Sequence, residues 1–136
     1  MGLLARADAA ALNRLCADVT LPDHTVLRAP EIGGVMVRGR AGATGGPFNL
    51  GEMTVTRCSV KLPCGTVGHA YVQGRDKTHA TQAALIDALM QTDAADHIAA
   101  AVLGPLREAE HLARASRAAK AAATKVDFFT MVRGED

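Results

Sequence analysis

Large apolar side chains are scarce in this sequence, and the shortage limits the hydrophobic core that the chain can build. Hydrophobic residues make up 49% of the 136 positions. Of these 66 residues, 27 are alanine and 3 are cysteine, which leaves 36 larger side chains for a core. Alanine buries little area, so a chain of this length supports one domain, residues 1–136, with a thin core. We expect such a chain to gain stability by packing against neighbouring chains.

Charge and targeting patterns exclude several classes of protein. The 15 lysine and arginine residues nearly balance 14 aspartate and glutamate residues, and the chain has one tyrosine, three phenylalanines and no tryptophan. A nucleic-acid-binding protein needs a basic surface and aromatic side chains for stacking, so that class is disfavoured. No signal peptide pattern is evident, and the longest purely apolar run, residues 98–103, is too short to span a membrane. We expect a soluble, cytoplasmic protein.

Cysteine and histidine spacing does not favour a metal site. The three cysteines, Cys16, Cys58 and Cys64, include no Cys-x-x-Cys pair, and no two of the five histidines lie within four positions. We therefore expect no bound metal and reduced thiols that are buried or half-buried. The glycine-rich segment 39–47 lacks the lysine and helix start of a phosphate-binding loop. A flexible loop is the favoured interpretation, and a phosphate-binding role is the less favoured one.

The pattern of apolar residues and turn signals predicts an α+β fold. We expect a mainly antiparallel sheet of about four strands packed against helices. A helix is predicted over residues 1–19, and strands over 25–73. A first hairpin is predicted to turn near Gly33 and Gly34, and a second around Pro63-Cys64-Gly65.

The second half of the sequence is predicted to be helical. Asp76 is a suitable N-cap for a helix over residues 76–91, which could pack on the small residues of the preceding strand. The alanine-rich residues 93–124 predict a helical extension, followed by an extended tail, residues 125–136. Because this tail is partly apolar, we predict that it docks on a partner through Phe128, Phe129 and Met131.

The densest group of chemically active side chains lies between Gln73 and His79, where a strand ends and a helix begins. Arginine offers a bidentate fork to phosphate or carboxylate, and a helix N-terminus adds unpaired N–H groups. An ordinary cap flanked by solvated charges is the alternative. Arg38, Arg40 and Arg57 on the predicted strands could face the same side as this corner and extend an anion-attracting surface, or they could be ordinary residues of a polar face. Glu52 could pair with Arg57 or contact a partner. The predicted substrate- or partner-binding residues are Arg57, Gln73, Gly74, Arg75, Asp76 and Lys77, and no catalytic residue is assigned.

Two motifs of the sequence are distinctive: Val72-Gln73-Gly74-Arg75-Asp76-Lys77 and Val126-Asp127-Phe128-Phe129-Thr130-Met131-Val132-Arg133-Gly134. Together with residues 47–57 and 84–91, they resemble the PhnG subunit family of the bacterial carbon-phosphorus lyase system. The resemblance implies a subunit of a core complex with PhnH, PhnI and PhnJ proteins, acting in the bacterial use of phosphonates. It implies a complex that joins methylphosphonate to a purine nucleoside triphosphate with Mg²⁺. The products would be ribose 1-methylphosphonate 5-triphosphate and the free base.

The same resemblance implies that catalysis resides in PhnI, and that this chain is a required subunit without a cofactor of its own. A rival interpretation is a free-standing small enzyme or anion-binding protein that uses the Gln73–His79 corner. In that case His69 or His79 would carry the proton, because imidazole titrates near neutral pH. A pure interaction module is a third interpretation, and self-association of the chain is compatible with all three.

Overall fold

The computed structural model describes residues 1–126, except for the side chain at position 43. The sheet is antiparallel with strand order β1-β2-β3 and consists of β1 (Thr25–Arg40), β2 (Pro47–Lys61) and β3 (Val67–Gln73). The helices are α1 (Gly2–Arg6), α2 (Ala9–Ala17), α3 (Lys77–Leu89), α4 (Ala95–Ile98) and α5 (Gly104–Ala123). Helices packed on an antiparallel sheet confirm the predicted α+β class.

The predicted first hairpin is wrong, and the described sheet has three strands instead of about four. β1 runs through Gly33 and Gly34, which pair with Val55 and Thr54 of β2. A tight hairpin turn needs residues with positive φ, and neither of these glycines has one. The irregularities of β1 are shifts in its register with β2 and do not form a turn.

The predicted loop over residues 39–47 is shorter in the structure. β1 continues to Arg40, which pairs with Pro47 at the start of β2. A 3₁₀ turn over Ala41–Ala43 begins the connection. The Arg40 guanidinium donates a hydrogen bond to the Gly45 carbonyl at 3.0 Å, which ties the end of the strand to the turn.

The predicted helix over residues 1–19 is divided into α1 and α2. The backbone leaves the helical region at Ala7, where ψ is 148°. The Asp8 carboxylate then accepts a hydrogen bond from the Ala11 N–H at 2.9 Å and caps α2. An aspartate that bonds a backbone amide three positions ahead starts a new helix rather than continuing the old one.

The second hairpin is confirmed, and its strands position the core. The Gly65 N–H donates to the Leu62 carbonyl at 2.9 Å, and Gly65 has a φ of +92°. On β3 the buried residues Gly68, Ala70 and Val72 alternate with exposed or partly exposed ones, so one strand face is covered.

The core lies between the inner face of the sheet and the helices, and alanine supplies much of it. A Cβ at Gly68 would meet the Ala84 carbonyl and the Ala88 side chain of α3. Helix and strand therefore approach more closely than bulkier residues would allow, and a core poor in large side chains still excludes water. Fully buried members of this core include Leu12, Val60, Val72, Ile86, Ile98 and Val102.

The alanine-rich segment forms the predicted helical extension. α4 continues through a π-helical stretch, Ala99–Leu103, into α5. Pro105 lies in the first turn of α5, directly after the π-helical stretch, and a proline is tolerated in the first turn of a helix. Within residues 1–126, no helix combines the length and apolar character that crossing a membrane requires.

One part of the sheet has only two strands. β3 pairs with β2 from Val55 to Lys61, so residues 47–54 of β2 pair with β1 alone. We call residues 34–54, which comprise these strand segments and their turn, the β-ribbon. None of its described side chains is buried.

Candidate functional site

The sheet face opposite α3, which we call the outer face, carries polar side chains in cross-strand rows. These side chains point away from the core because the residues that alternate with them, such as Cys58 and Ala70, are buried. Register places three residues of different strands side by side in each row, where their side chains interact. The two rows are Arg28, Ser59 and His69, and Glu31, Arg57 and Tyr71.

A carboxylate on the outer face binds two guanidinium groups. The Arg57 Nε lies 3.1 Å from Glu31 Oε2, and the Arg28 Nε lies 3.5 Å from the same oxygen. The hydrogen bond and positive charge of Arg57 lower the pKa of Glu31, and Glu31 raises the pKa of Arg57 in return. Since these groups are open to solvent, the ion pairs contribute little stability. Two cations against one anion leave the cluster of Arg28, Glu31 and Arg57 with a net positive charge.

The second polar contact on this face is a hydroxyl–imidazole pair. The Ser59 Oγ lies 2.9 Å from His69 Nδ1. A serine paired with histidine acts as a nucleophile when a further group orients the ring. Within residues 1–126 the His69 ring has no carboxylate hydrogen-bond partner, although its backbone N–H donates to the Asp87 carboxylate at 3.0 Å. The pair is best described as a cross-strand contact.

These rows border a shallow cavity of about 230 Å³ on the outer face. Its lining includes Met1, Arg57, His69 and Tyr71. Guanidinium and imidazole donors beside an aromatic ring can bind an anionic group or a carboxylate-rich protein surface.

The corner between β3 and α3 is held by hydrogen bonds to β2. Gly74 has a φ of +90°, a conformation that favours glycine. Its N–H donates to the Thr54 carbonyl at 2.9 Å, and its carbonyl accepts a bond from the buried Thr56 hydroxyl at 2.8 Å. Gly74 therefore shapes the corner through its backbone.

Two other corner residues serve the packing of α3. The Asp76 carboxylate accepts the His79 N–H at 2.9 Å, as an N-cap does. The His79 ring is buried, and its Nε2 lies 2.8 Å from the Leu4 carbonyl. A carbonyl only accepts, so Nε2–H is the donor and this ring joins α1 to α3. His79 is thus unsuited to the proton-carrier role that the rival interpretation gives it.

The structure brings some of the predicted basic residues together. Arg75 and Lys77 are exposed, as is Gln73. Lys77 lines a shallow surface depression together with Arg28 and Glu31, and thus lies near the ion pair that holds Arg57.

Arg38 and Arg40 are not part of this group. They lie on the β-ribbon, and Arg38 is seven residues beyond Glu31 along β1. This corresponds to about 20 Å at roughly 3.3 Å per residue.

Sequence reasoning missed the partner of Arg57. Glu52, the suggested carboxylate, lies opposite Met36 on the neighbouring strand. The carboxylate that pairs with Arg57 is that of Glu31. Glu31 and Arg57 are 26 positions apart, and only the strand register reveals their contact.

The prediction of buried or half-buried thiols holds for Cys16 and Cys58, whereas Cys64 is exposed. Among residues 1–126, no three His, Cys, Asp or Glu side chains are grouped so that they could hold a metal ion.

The fold and these surfaces define a small α+β protein that presents its polar groups on an open sheet face and at a surface corner. The chain matches the family model of phosphonate metabolism protein PhnG over residues 1–134. It is also 47% identical over 139 positions to the alpha-D-ribose 1-methylphosphonate 5-triphosphate synthase subunit PhnG of Rhizobium meliloti (strain 1021). That alignment covers 100% of this chain and 88% of the relative. The chain belongs to the PhnG family, which confirms the resemblance of its motifs.

Proposed function

We propose that this protein is a non-catalytic but required subunit in organic phosphonate catabolism. Its complex would transfer the ribose 5-triphosphate of ATP or GTP to methylphosphonate and release the purine base. The observation that carries the proposal is the 47% identity, over the whole chain, to a named subunit of the synthase. The partners we propose are PhnI-, PhnH- and PhnJ-type subunits in the cytoplasm, with catalysis in the PhnI-type subunit and Mg²⁺ accompanying the nucleotide.

The hydrogen bonds and the positions of His69 and His79 support a non-catalytic role for this chain. His79 is buried and bonded to a backbone carbonyl, and His69 is paired with Ser59. A general acid or base must reach the proton that it transfers. His79 does not meet this condition, and His69 lies on an open face that does not exclude water.

The basic side chains support a contact role for the outer face and the corner. We propose that Arg57, Arg75 and Lys77 contact the triphosphate or an acidic surface of a partner, because guanidinium and ammonium groups bind such anions. Gln73 would assist at the end of β3, while Gly74 and Asp76 maintain the shape of the corner. Phe128, Phe129 and Met131, proposed to dock on a partner, lie outside the described residues.

An omission experiment tests the proposal. The partner subunits are expressed with and without this chain, and adenine release from ATP and methylphosphonate is measured. We expect release to fall at least tenfold without this chain and to return when it is added. Undiminished release in its absence would reject the required role.

A matched pair of variants separates substrate contact from assembly. Arg57→Gln combined with Lys77→Gln removes two charges from the proposed surface, and Arg107→Gln with Arg117→Gln removes two from exposed positions of α5. We expect the first variant to raise the KM for ATP or to reduce co-purification of partners, and the second to do neither. Equal behaviour of the two variants would argue against a special role for this surface.

The positive outer face favours one second candidate, a free-standing anion-binding protein. That candidate requires the isolated chain to bind a nucleotide. Isothermal titration of the isolated chain with ATP and with inorganic phosphate tests it, and binding that disappears in Arg57→Gln would support it. Absence of binding at millimolar ligand would reject it.

A further inference from the structure

We propose that the β-ribbon is an arm that docks into an apolar groove with an acidic rim on another subunit of the synthase. The inference rests on the proposed function and adds to it a specific interface. The ribbon is distinct from the outer-face rows and from the corner, and Arg57, Gln73, Gly74, Arg75, Asp76 and Lys77 all lie outside it.

The first argument is that the ribbon is incomplete on its own. It has two strands, the third strand stops at its base, and its described side chains are not buried. A two-stranded ribbon without a covered face is marginally stable in water. The two strands nonetheless stay paired over seven residues of β1, residues 34–40, and a second surface would stabilise them.

The second argument is the apolar surface of the ribbon. Met36, Phe48 and Leu50 are 52%, 45% and 67% exposed. Single apolar residues are common on a protein surface, but three large ones in a short protruding segment indicate an interaction site. Methionine and phenylalanine are enriched in the buried centres of interfaces.

The third argument is charge, which indicates the chemistry of the partner. The ribbon has two arginines, Arg38 and Arg40, near its tip and one acidic residue, Glu52, near its base. Arg38 is exposed and forms no ion pair with any residue of the described range 1–126. Arg38 and Arg40 alternate with Gly39 along β1 and so lie on the strand face of Met36, where arginines beside an exposed apolar side chain can pair with carboxylates at an interface rim. The groove that fits the ribbon is therefore apolar at its floor and acidic at its edge.

The fourth argument is the free edge of β2. Residues 47–53 have β1 on one side and no strand of the described chain on the other, whereas the Thr54 carbonyl already accepts a hydrogen bond from the Gly74 N–H. Such an edge presents N–H and C=O groups that a strand in the groove wall can pair with. Main-chain pairing would fix the register of the arm, while the apolar side chains provide most of the contact area.

Co-purification with the partner subunits tests the proposal. Met36→Ser combined with Leu50→Ser removes two exposed apolar side chains of the ribbon, and Leu112→Ser removes one of comparable exposure, 60%, from α5. We expect the double variant to recover at least tenfold less partner than the unmodified chain, and Leu112→Ser to stay within twofold. Circular dichroism and thermal melting of the isolated variants should be unchanged, since the altered side chains lie outside the core.

Charge variants and crosslinking give independent readouts. Arg38→Glu should reduce partner recovery, whereas the control Arg107→Glu should not. A photo-crosslinking residue at position 50 should attach to a partner subunit in the assembled complex. Full recovery of partner by the ribbon variants would overturn the inference, and so would a crosslink that joins only two copies of this chain. If the unmodified chain itself recovers no partner, the proposed function fails instead.

Discussion

Among single residues, the three cysteines differ most clearly in their chemical surroundings. Burial raises the pKa of the Cys16 and Cys58 thiols. Cys64 is exposed at the turn between β2 and β3, where its Sγ lies 3.3 Å from the Thr66 hydroxyl. That hydroxyl lowers the pKa of Cys64 because it can donate a hydrogen bond to the thiolate.

Alkylation kinetics should therefore distinguish Cys64 from the other two thiols. In the folded protein at pH 7.5, we expect one thiol to react rapidly with iodoacetamide and the other two to react only after urea unfolding, because the thiolate is the reactive form. Mass spectrometry of the modified peptides identifies the sites. Thr66→Val should slow the reaction of Cys64 severalfold. Rapid labelling of Cys16 in the folded state would contradict the structure.

The Glu31–Arg57 pair makes a prediction about pH. Because Arg57 lowers the pKa of Glu31, the stability that this pair contributes is fully present above the ordinary glutamate pKa and is lost as the pH falls through the lowered value. Carboxyl NMR titration should give Glu31 a pKa below the ordinary glutamate value. Arg57→Gln should raise it toward the ordinary value, and an unchanged pKa in this variant would rule out the contact.

At the scale of elements, the packing of α3 on β3 depends on one missing side chain. Gly68 lies where α3 comes closest to the sheet, and any Cβ there would overlap the helix backbone. Neighbouring alanines on both elements keep this distance short. Close packing of α3 on β3 thus compensates for the shortage of large side chains in the core.

Gly68→Ala should destabilise the protein strongly. Overpacking of this kind typically costs about 1–3 kcal/mol, and we expect a value of about 2 kcal/mol or more because rigid backbone atoms are involved. The matched control is Gly33→Ala, where an added Cβ would meet no atom within 4 Å. Urea unfolding at constant m-value measures both. Equal stability of the two variants would show that helix and strand are farther apart than the structure indicates.

The start of α3 depends on the Asp76 cap. Asp76→Ala removes the acceptor of the His79 N–H and should lower the free energy of unfolding by about 1 kcal/mol. Asp76→Asn keeps a side-chain oxygen in place and should recover most of that loss. Thermal or urea unfolding provides the measurement, and equal losses in both variants would mean that charge, not capping, is what matters.

At the scale of the whole molecule, the helices of the described residues 1–126 cover one face of the sheet and leave the other open. The outer face, the β-ribbon and most of α5 are exposed in the described chain. This arrangement agrees with a core too small to stabilise every element from within. Partner subunits would complete it by covering the outer face and the β-ribbon.

Association should therefore raise the thermal stability of this chain. Binding to the native state alone stabilises it by mass action, and about 1–2 kcal/mol would raise the Tm by roughly 5 °C in a chain of this size. Differential scanning fluorimetry of the isolated chain and of the co-purified complex, with the partners alone as control, tests this. An isolated chain that melts at or above the temperature of the complex would contradict the expectation.

The sequence alone determined the α+β class, the second hairpin, the Asp76 cap and the PhnG family. These features depend on local signals, such as the proline and glycine of one turn, or on motifs read directly from the chain. Only the tertiary structure decided that Gly33 and Gly34 continue a strand, that Glu31 pairs with Arg57 and that the β-ribbon extends beyond β3. The physical reason is that strand pairing joins residues far apart in the chain, so its register and extent depend on packing that no local pattern contains.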